Sequence, residues 1–502
     1  MPVYKDHSFR LGASAQGDDV YEIGNSIRFN RTGTTADHYM HRTPSGAGNR
    51  KKWTWSCWFK LGEVNNAVAA SSLYYTFLSV DVASNSSNRG RIVINNDSGI
   101  SDNMNIMLSA HSTKFMVAEK KVNDPTAWYH LVIVWDTDND LADNRQKMFI
   151  NGERIINFLD YNTPSDEQEI GINLASEHRL GAIKNISTSA AQFPFDGYMA
   201  EIFFLDGYAY DASYFGQFDE NGIWIPIDYN TLTGDYGSNG YYLKGDNAAT
   251  LGNSDVNSNH FTLVGITNHD QTTDTPNNNF AVLNTLDSNS NVTQRNGNLE
   301  WTSSAADGGC RSTIFFNSDN SDKFYIEAIV GTYASAFSFG ISNPDRSLSG
   351  DAGEDLADFY GWYINPAGNW IASGSNPWNT GSNYNSGSLD VLQMAVDASD
   401  HTSIKLFAGI NNTYYNSSGG TDGNPSTGAN PTATITGGEE WSIGLWNRNS
   451  AASNIFVNFG QEGTFGGNKT AGGNKDKNNI GNFFHAVPTG YLALCTRNLF
   501  TG

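Results

Sequence analysis

Three groups of residues have types and spacing that could do chemistry. Asp136, Asp138, Asp140 and Asp143 crowd one turn, and hard cations such as Ca2+ prefer clustered carboxylate and carbonyl oxygens. The run departs from an EF-hand loop, which needs Gly and Glu where this chain has Leu141 and Lys147. Asp136, Asp138 and Asp140 therefore stand as candidate calcium ligands against the alternative of a solvated acidic turn. A second group is carboxylate: Glu201 and Asp206 flank an apolar strand, and Glu354, Asp355 and Asp358 sit in a Gly-bounded loop. Paired carboxyl groups can cleave glycosidic bonds, but either group also suits solvated or loop-capping acids. The third group mixes aromatics with amides: Asn369 and Trp370, then Trp378 and Asn379, then Asn383 and Tyr384. A sugar offers C–H faces for stacking and hydroxyls for amide hydrogen bonds. Tyr, Ser, Gly and Asn also serve protein recognition. The alternative is that these aromatics fold back onto the core or into a subunit contact.

Other chemistry has no matching pattern. The ten His residues are scattered, and no nucleophile elbow, phosphate loop or zinc signature is found. Cys57, Cys310 and Cys495 lack metal-ligand spacing and an even disulfide framework; they read as small buried residues.

The elements that must position these groups are strands. One hairpin signature occurs twice. Leu131–Asp136 crosses an Asp-rich turn and returns as Met148-Phe149-Ile150-Asn151-Gly152, while Leu392–Asp397 crosses Asp400-His401 and returns as Ile404–Ile410 before Asn411-Asn412. Asn-Gly tolerates the positive φ angles of a type I′ turn and is a strong hairpin signal. Trp53-Thr54-Trp55-Ser56-Cys57-Trp58-Phe59-Lys60 alternates cleanly, as a half-buried strand should. Short strands without intervening helices argue for sandwiches. The expected fold is all-β: two tandem antiparallel sandwiches joined by an ordered connector rich in Gly and aromatics. The expected divisions are an arm over 1–24, a first sandwich over 25–215, the connector over 216–275 and a second sandwich over 276–502.

Composition agrees. A chain of 502 residues suits two or three domains, and 51 Gly with 13% aromatics suit a turn-rich β protein. The net charge of −22 repels phosphate backbones and anionic lipid, so neither nucleic acid nor a membrane surface is an expected partner. No run approaches the roughly 20 apolar residues of a membrane span. The opening Met1-Pro2-Val3-Tyr4-Lys5-Asp6-His7 lacks the apolar stretch of a secretory signal.

The first unit resembles the laminin-G/pentraxin-like branch of the concanavalin A-like sandwiches. The matching pieces are Trp53-Thr54-Trp55-Ser56, Trp128-Tyr129-His130-Leu131, Phe149-Ile150-Asn151-Gly152 and Phe195-Asp196-Gly197 with Glu201-Ile202. The second resembles SPRY-like sandwiches through Phe324-Tyr325-Ile326-Glu327, Phe339-Gly340-Ile341 and Val457-Asn458-Phe459-Gly460-Gln461. Their order, with Asn221–Pro226 between them and Gly490–Leu499 at the end, is similar to virion structural proteins of tailed phages. Hydrolases of the concanavalin A-like fold carry a Glu-x-Asp-x-x-Glu strand, which is missing here, so no enzyme is expected. The resemblance implies a tail fibre, spike or head-decoration subunit, made in a host cytoplasm and located in the virion. It further implies other virion proteins as partners, a homo-oligomer, and a host-surface glycan or protein receptor; the aromatic-and-amide residues Asn369, Trp370, Trp378, Asn379, Asn383 and Tyr384 are the ones expected to meet it. A purely architectural capsid or tail component is the alternative, and a glycan depolymerase a more distant one.

Overall fold

A computed structural model describes residues 21–31, 37–64, 73–82, 88–96, 104–110, 113–229, 236–303, 308–319, 322–332, 337–349, 358–365, 367–372, 375–379, 384, 388–447 and 453–499. It is an all-β protein whose large sheets are antiparallel. Sheet I runs, from one edge, through Glu153–Arg154, Gln146–Ile150, Trp128–Asp136, Lys52–Leu61, Gly197–Asp206 and Ser26–Phe29 to Gln271–Thr272. Sheet II runs from Phe158–Tyr161 through Thr113–Lys121, Asn105–Ala110, Gly90–Asn96, Leu73–Val80, His178–Leu180 and Tyr39–Arg42 to Thr262–Val264. Between them lies one core, which includes Trp53, Trp55, Phe59, Phe77, Leu131 and Trp135.

The second pair of sheets encloses a separate core containing Trp301, Phe339, Trp362, Met394, Leu406 and Leu445. Sheet III includes Trp441–Asn447, Phe337–Ser342 and Phe359–Asn365 and ends at Ala367–Ala372 and Ser375–Asn379. Sheet IV centres on Ser453–Asn458, Lys323–Thr332, Val391–Asp400 and Ser403–Ile410. The repeated hairpin thus lies in both sandwiches. Its turns have the expected left-handed backbone, with φ of 51° and 78° at Asn151 and Gly152 and of 48° and 67° at Asn411 and Asn412.

The stretch 216–275 is woven into the first sandwich. Tyr241–Leu243 pairs with Gly197–Asp206, Thr262–Val264 with Tyr39–Arg42, and Gln271–Thr272 with Ser26–Phe29. Alternation along Lys52–Leu61 also has an unexpected outcome. Trp53, Trp55, Cys57 and Phe59 enter the core, yet the opposite face is buried too: Thr54, Ser56, Trp58 and Lys60 are each at most 3% exposed. Later segments of the chain cover that face.

At the Lys60 end the cover is Asp274, at the end of the stretch 216–275, together with Asn279 and Phe280 at the start of the second unit. Lys60 Nζ lies 2.8 Å from Asp274 Oδ2 and donates to Asn279 Oδ1 at 2.6 Å and to the Phe280 carbonyl at 3.1 Å. Asp274 accepts from Trp128 Nε1 at 3.0 Å as well. Both members of this ion pair are fully buried. Nearby, Arg28 pairs with Asp270 at 3.2 Å and faces Glu462 at 3.6 Å, and the Tyr198 hydroxyl donates to the Gly297 carbonyl at 2.6 Å. Buried charges tolerate such sites only when paired and hydrogen-bonded, so the contacts fix how the sandwiches meet.

Candidate functional site

The outer face of sheet I carries an aromatic layer built on Phe203 of the sheet itself, with Tyr21 and residues of 206–256 packed over it. Phe203, Phe215, Tyr229 and Tyr242 are buried in it, with Tyr208, Tyr210, Tyr214, Trp224 and Tyr236 half-buried around them. Local chemistry shapes the layer. Asp211 accepts from the Ser213 backbone N–H at 3.0 Å and its hydroxyl at 2.6 Å, capping the short turn Ala212–Tyr214. Asp219 accepts from the N–H groups of Asn221 and Ile223, closing the hairpin between Gly216–Phe218 and Trp224–Pro226. The register places Phe218 opposite Trp224, and their rings meet edge-on with centroids 4.9 Å apart. Gly152 of the type I′ turn lies against the Trp224 ring, and any Cβ there would collide with it.

A cleft of about 390 Å³ opens between this hairpin and the Asn151-Gly152 turn, lined by Phe149, Asp211, Ser213, Gln217, Phe218 and Trp224. Phe218 is 51% exposed. On the same segment Tyr208, Tyr210 and Tyr214 form a ladder, with centroid spacings of 5.7 and 4.1 Å and nearly parallel rings. The site therefore places apolar ring surface beside carboxylate, hydroxyl and amide groups.

Beneath the cleft, His130 contacts Ser56 Oγ through Nε2 at 2.8 Å and Trp224 Nε1 through Nδ1 at 3.0 Å. Indole N–H is only a donor, so Nδ1 accepts and Nε2 carries the proton toward Ser56. Such a His is not placed to take a proton from the serine. Burial also pushes its pKa down to about 3, so it stays neutral and acts as a packed spacer between Trp58 and Trp224. Glu201, at a bulge in Gly197–Asp206, accepts hydrogen bonds from the Tyr21 and Tyr242 hydroxyls. Burial pushes its carboxyl up to about 8, with the phenol donors opposing the shift.

The residues singled out from sequence are placed as follows. Asp206 is held by the Asn49 and Asn239 N–H groups and the Asn173 side chain, separately from Glu201. Glu354 and Asp355 lie outside the described residues, and Asp358 is exposed at the start of Phe359–Asn365. Asp136 is ion-paired with Lys52 at 3.1 Å, while Asp138, Asp140 and Asp143 point to solvent. Among the described residues no three His, Cys, Asp or Glu side chains converge as metal donors. The expected aromatic platforms are corrected at two positions. Trp370 is 1% exposed and meets Trp362 edge-on in the second core, and Tyr384 is 7% exposed and accepts from the Val330 N–H at 3.1 Å. Neither offers a ring face to a ligand, because burying these large rings stabilises the sandwich more than exposing them would. The backbones of Asn369 and Asn379 are paired, as are those of Trp370 and Trp378. The side chains of Asn369, Trp378 and Asn379, and all of Asn383, lie outside the described residues.

The cleft on sheet I was missed because 216–275 reads as a connector. Its signal is Tyr208-Ala209-Tyr210-Asp211-Ala212-Ser213-Tyr214, a tyrosine-rich turn directly after a core strand. A second cleft of about 500 Å³, lined by polar residues together with Pro431 and Ala433, lies on the second sandwich. Asp422 there accepts from Asn416 at 2.5 Å and Asn430 at 3.0 Å, beside Ser418 and Thr434.

Residues 33–202 match the concanavalin A-like lectin/glucanases superfamily through its laminin G family model. That stretch contains most of sheets I and II. No curated protein matches the chain. Among solved structures, a heptameric SAP-like pentraxin from Limulus polyphemus is 13% identical, covers 38% of this chain and 80% of its own, and has a TM-score of 0.26. The SPRY domain of human HERC1 is 13% identical, with coverages of 35% and 96% and a TM-score of 0.24. A tailspike protein from Escherichia coli O157:H7 bacteriophage CAB120 is 11% identical, with coverages of 39% and 27% and a TM-score of 0.24. Scores this low describe a partial likeness of fold.

Proposed function

We propose that this protein is a non-enzymatic adhesion subunit of a tailed-phage virion, a fibre, spike or head decoration that engages a glycan on the host surface. The observation carrying this reading is the cleft on sheet I, where Phe218 and Trp224 lie beside Asp211, Ser213 and Gln217. A pyranose ring presents C–H groups to stack on an aromatic face and hydroxyls to meet carboxylate and amide groups. The lectin/glucanases description of the family matching residues 33–202 supports the same reading. The neutral His130, which holds its proton toward Ser56, supports a binding role over hydrolysis. The virion assignment rests on the order of motifs along the chain, with other virion proteins and further copies of this chain as partners.

The test measures attachment of the purified chain to host cells and their extracted surface polysaccharide. Phe218→Ala is expected to reduce attachment at least tenfold and leave folding intact. Trp378→Ala serves as the companion variant for the edge of sheet III. If Phe218→Ala leaves attachment unchanged but blocks incorporation into particles, the architectural alternative takes its place. Immunogold labelling of intact particles checks the virion assignment separately, and particles without label would end it.

A further inference from the structure

The two walls of the sheet I cleft come from different parts of the chain and share one sign of charge. One wall belongs to the segment that follows Gly197–Asp206, where residues 207–229 carry four Asp or Glu and no Lys or Arg. The other is the hairpin that turns at Asn151-Gly152, and residues 136–154 carry five Asp or Glu against three Lys or Arg. Those three cations are engaged elsewhere or stand back from the opening. Arg145 is paired with Asp166 at 3.2 Å. Arg154 lies opposite Phe149 in the register, but its Nη2 donates to the Asp143 carbonyl at 2.8 Å, on the acidic turn. Lys147 lies opposite Val134, two residues along the strand from Phe149, and does not line the cleft. Among the described residues that line the cleft, Asp211 alone is charged. Its Oδ1 is taken by the Ser213 N–H and hydroxyl, while among the described residues no donor meets Oδ2. Asp211, Ser213, Gln217 and Phe218 are all exposed to solvent.

We infer that the cleft selects neutral sugars, hexoses or N-acetylhexosamines, over acidic ones, a selectivity that rests on the adhesion reading of the same cleft. A sugar stacked on the exposed Phe218 ring brings its hydroxyls to the polar rim. A hydroxyl that donates to Asp211 Oδ2 makes a hydrogen bond to a charged acceptor, which is stronger than one to a neutral acceptor. Gln217 offers both a donor and an acceptor, which suits a hydroxyl or an acetamido group. A carboxylate or phosphate in that place can only accept, as Asp211 does. It also meets a like charge with no Lys or Arg in the lining to offset it. Sites that recognise acidic groups bring Arg forks or Lys ammonium groups to bear on them, and this one brings none. Asp211 acts at contact distance, well inside the Debye length of about 10 Å at 0.1 M salt. The net charge of −22 works in the same direction at longer range.

The experiment reads the labelled full chain on an array of bacterial surface oligosaccharides. Every uronate-containing member is paired with its carboxyl-reduced, neutral form. Binding to the neutral form is expected to be roughly tenfold stronger or more, as one uncompensated like charge at contact distance implies. Asp211→Asn removes the charge and keeps the turn cap, because Asn caps as well as Asp. It should weaken binding of the neutral form, strengthen binding of the acidic form and shrink their ratio to about threefold or less. Higher salt should narrow the wild-type ratio as well, by screening the repulsion. Phe218→Ala should abolish binding to both forms. Both positions are exposed, so both variants should keep the wild-type circular dichroism melt. A preference for the acidic forms that Phe218→Ala removes overturns the selectivity and leaves the cleft as the adhesion site. A neutral preference that Asp211→Asn leaves untouched does the same. Binding that survives Phe218→Ala, or no binding to any member, overturns the selectivity and the cleft reading together.

Discussion

Glu201 and Glu327 each stand in a central strand of a sandwich, buried beneath a segment that arrives from elsewhere in the chain. The donors that meet them differ. Glu201 accepts from two phenols, Tyr21 and Tyr242, which belong to the aromatic layer on sheet I. Glu327 accepts from the backbone N–H groups of Phe484 and His485 at 2.9 and 2.8 Å, and from the Tyr325 hydroxyl and the Asn458 amide. Burial pushes both carboxyls up, Glu201 to about 8 and Glu327 to about 7, and the richer donor set of Glu327 offsets more of the desolvation. The covering segments differ accordingly. On sheet IV a backbone is clamped to the acid, which suits a permanent closure. On sheet I side chains alone make the contact, and the layer keeps its outer rings half-exposed around a cleft.

The largest expected effect lies at the joint between these two regions. Lys60→Met leaves Asp274 buried without its cation and should cost roughly 3–5 kcal/mol in denaturant unfolding. A loss under about 1 kcal/mol would show that the joint does not hold the sandwiches together.

Next comes the direct comparison of the two acids. Glu327→Ala strands two buried main-chain N–H groups and should cost about 3 kcal/mol or more, whereas Glu201→Ala strands one buried phenol, Tyr242, and the half-buried Tyr21, and should cost roughly 1–2 kcal/mol. Urea midpoints at one pH decide the order, and a reversed order would break the distinction drawn here.

pH sharpens it further. Both folded-state pKa values lie above the ordinary carboxyl value of about 4.3, as does that of Asp196, which burial pushes up to about 7. At these three carboxyls the folded chain therefore holds more protons than the unfolded chain across this window, while His130 and His178, pushed down by burial to about 3 and about 4, oppose this below about pH 6.5. Stability from the three carboxyls is fully present below about pH 4.3 and is lost as pH rises through 7 to 8. The melting temperature should be higher at pH 5.5 than at pH 8.5. Glu201→Gln should flatten that slope, removing up to a few kcal/mol of pH dependence at about 1.4 kcal/mol per unit. An unchanged slope would mean that Glu201 is solvated and that the aromatic layer is open.

The smallest effect on stability is expected at the cleft. Phe218→Ala should shift unfolding by no more than about 0.5 kcal/mol, as exposed positions do, while attachment falls as described above. A much larger shift would make Phe218 part of the covering layer instead of a ligand contact.

Strand periodicity and turn chemistry were legible in the residues themselves. The Asn151-Gly152 and Asn411-Asn412 turns adopt left-handed backbones because Asn and Gly tolerate positive φ, and each apolar strand buries one face because a pleated strand alternates. What alternation could not reveal is what lies on the other face. Thr54, Ser56, Trp58 and Lys60 look solvent-facing by period, yet tertiary structure buries them under residues 206–256 and under Asp274 and Asn279, far along the chain. For the same reason Trp370 and Tyr384, set among loop-like residues, turned inward, while Phe218 in an apparent connector turned outward. Local sequence fixes backbone conformation through short-range sterics and hydrogen bonds. Which aromatic meets water depends on long-range packing, where the same ring can stabilise a core or line a cleft.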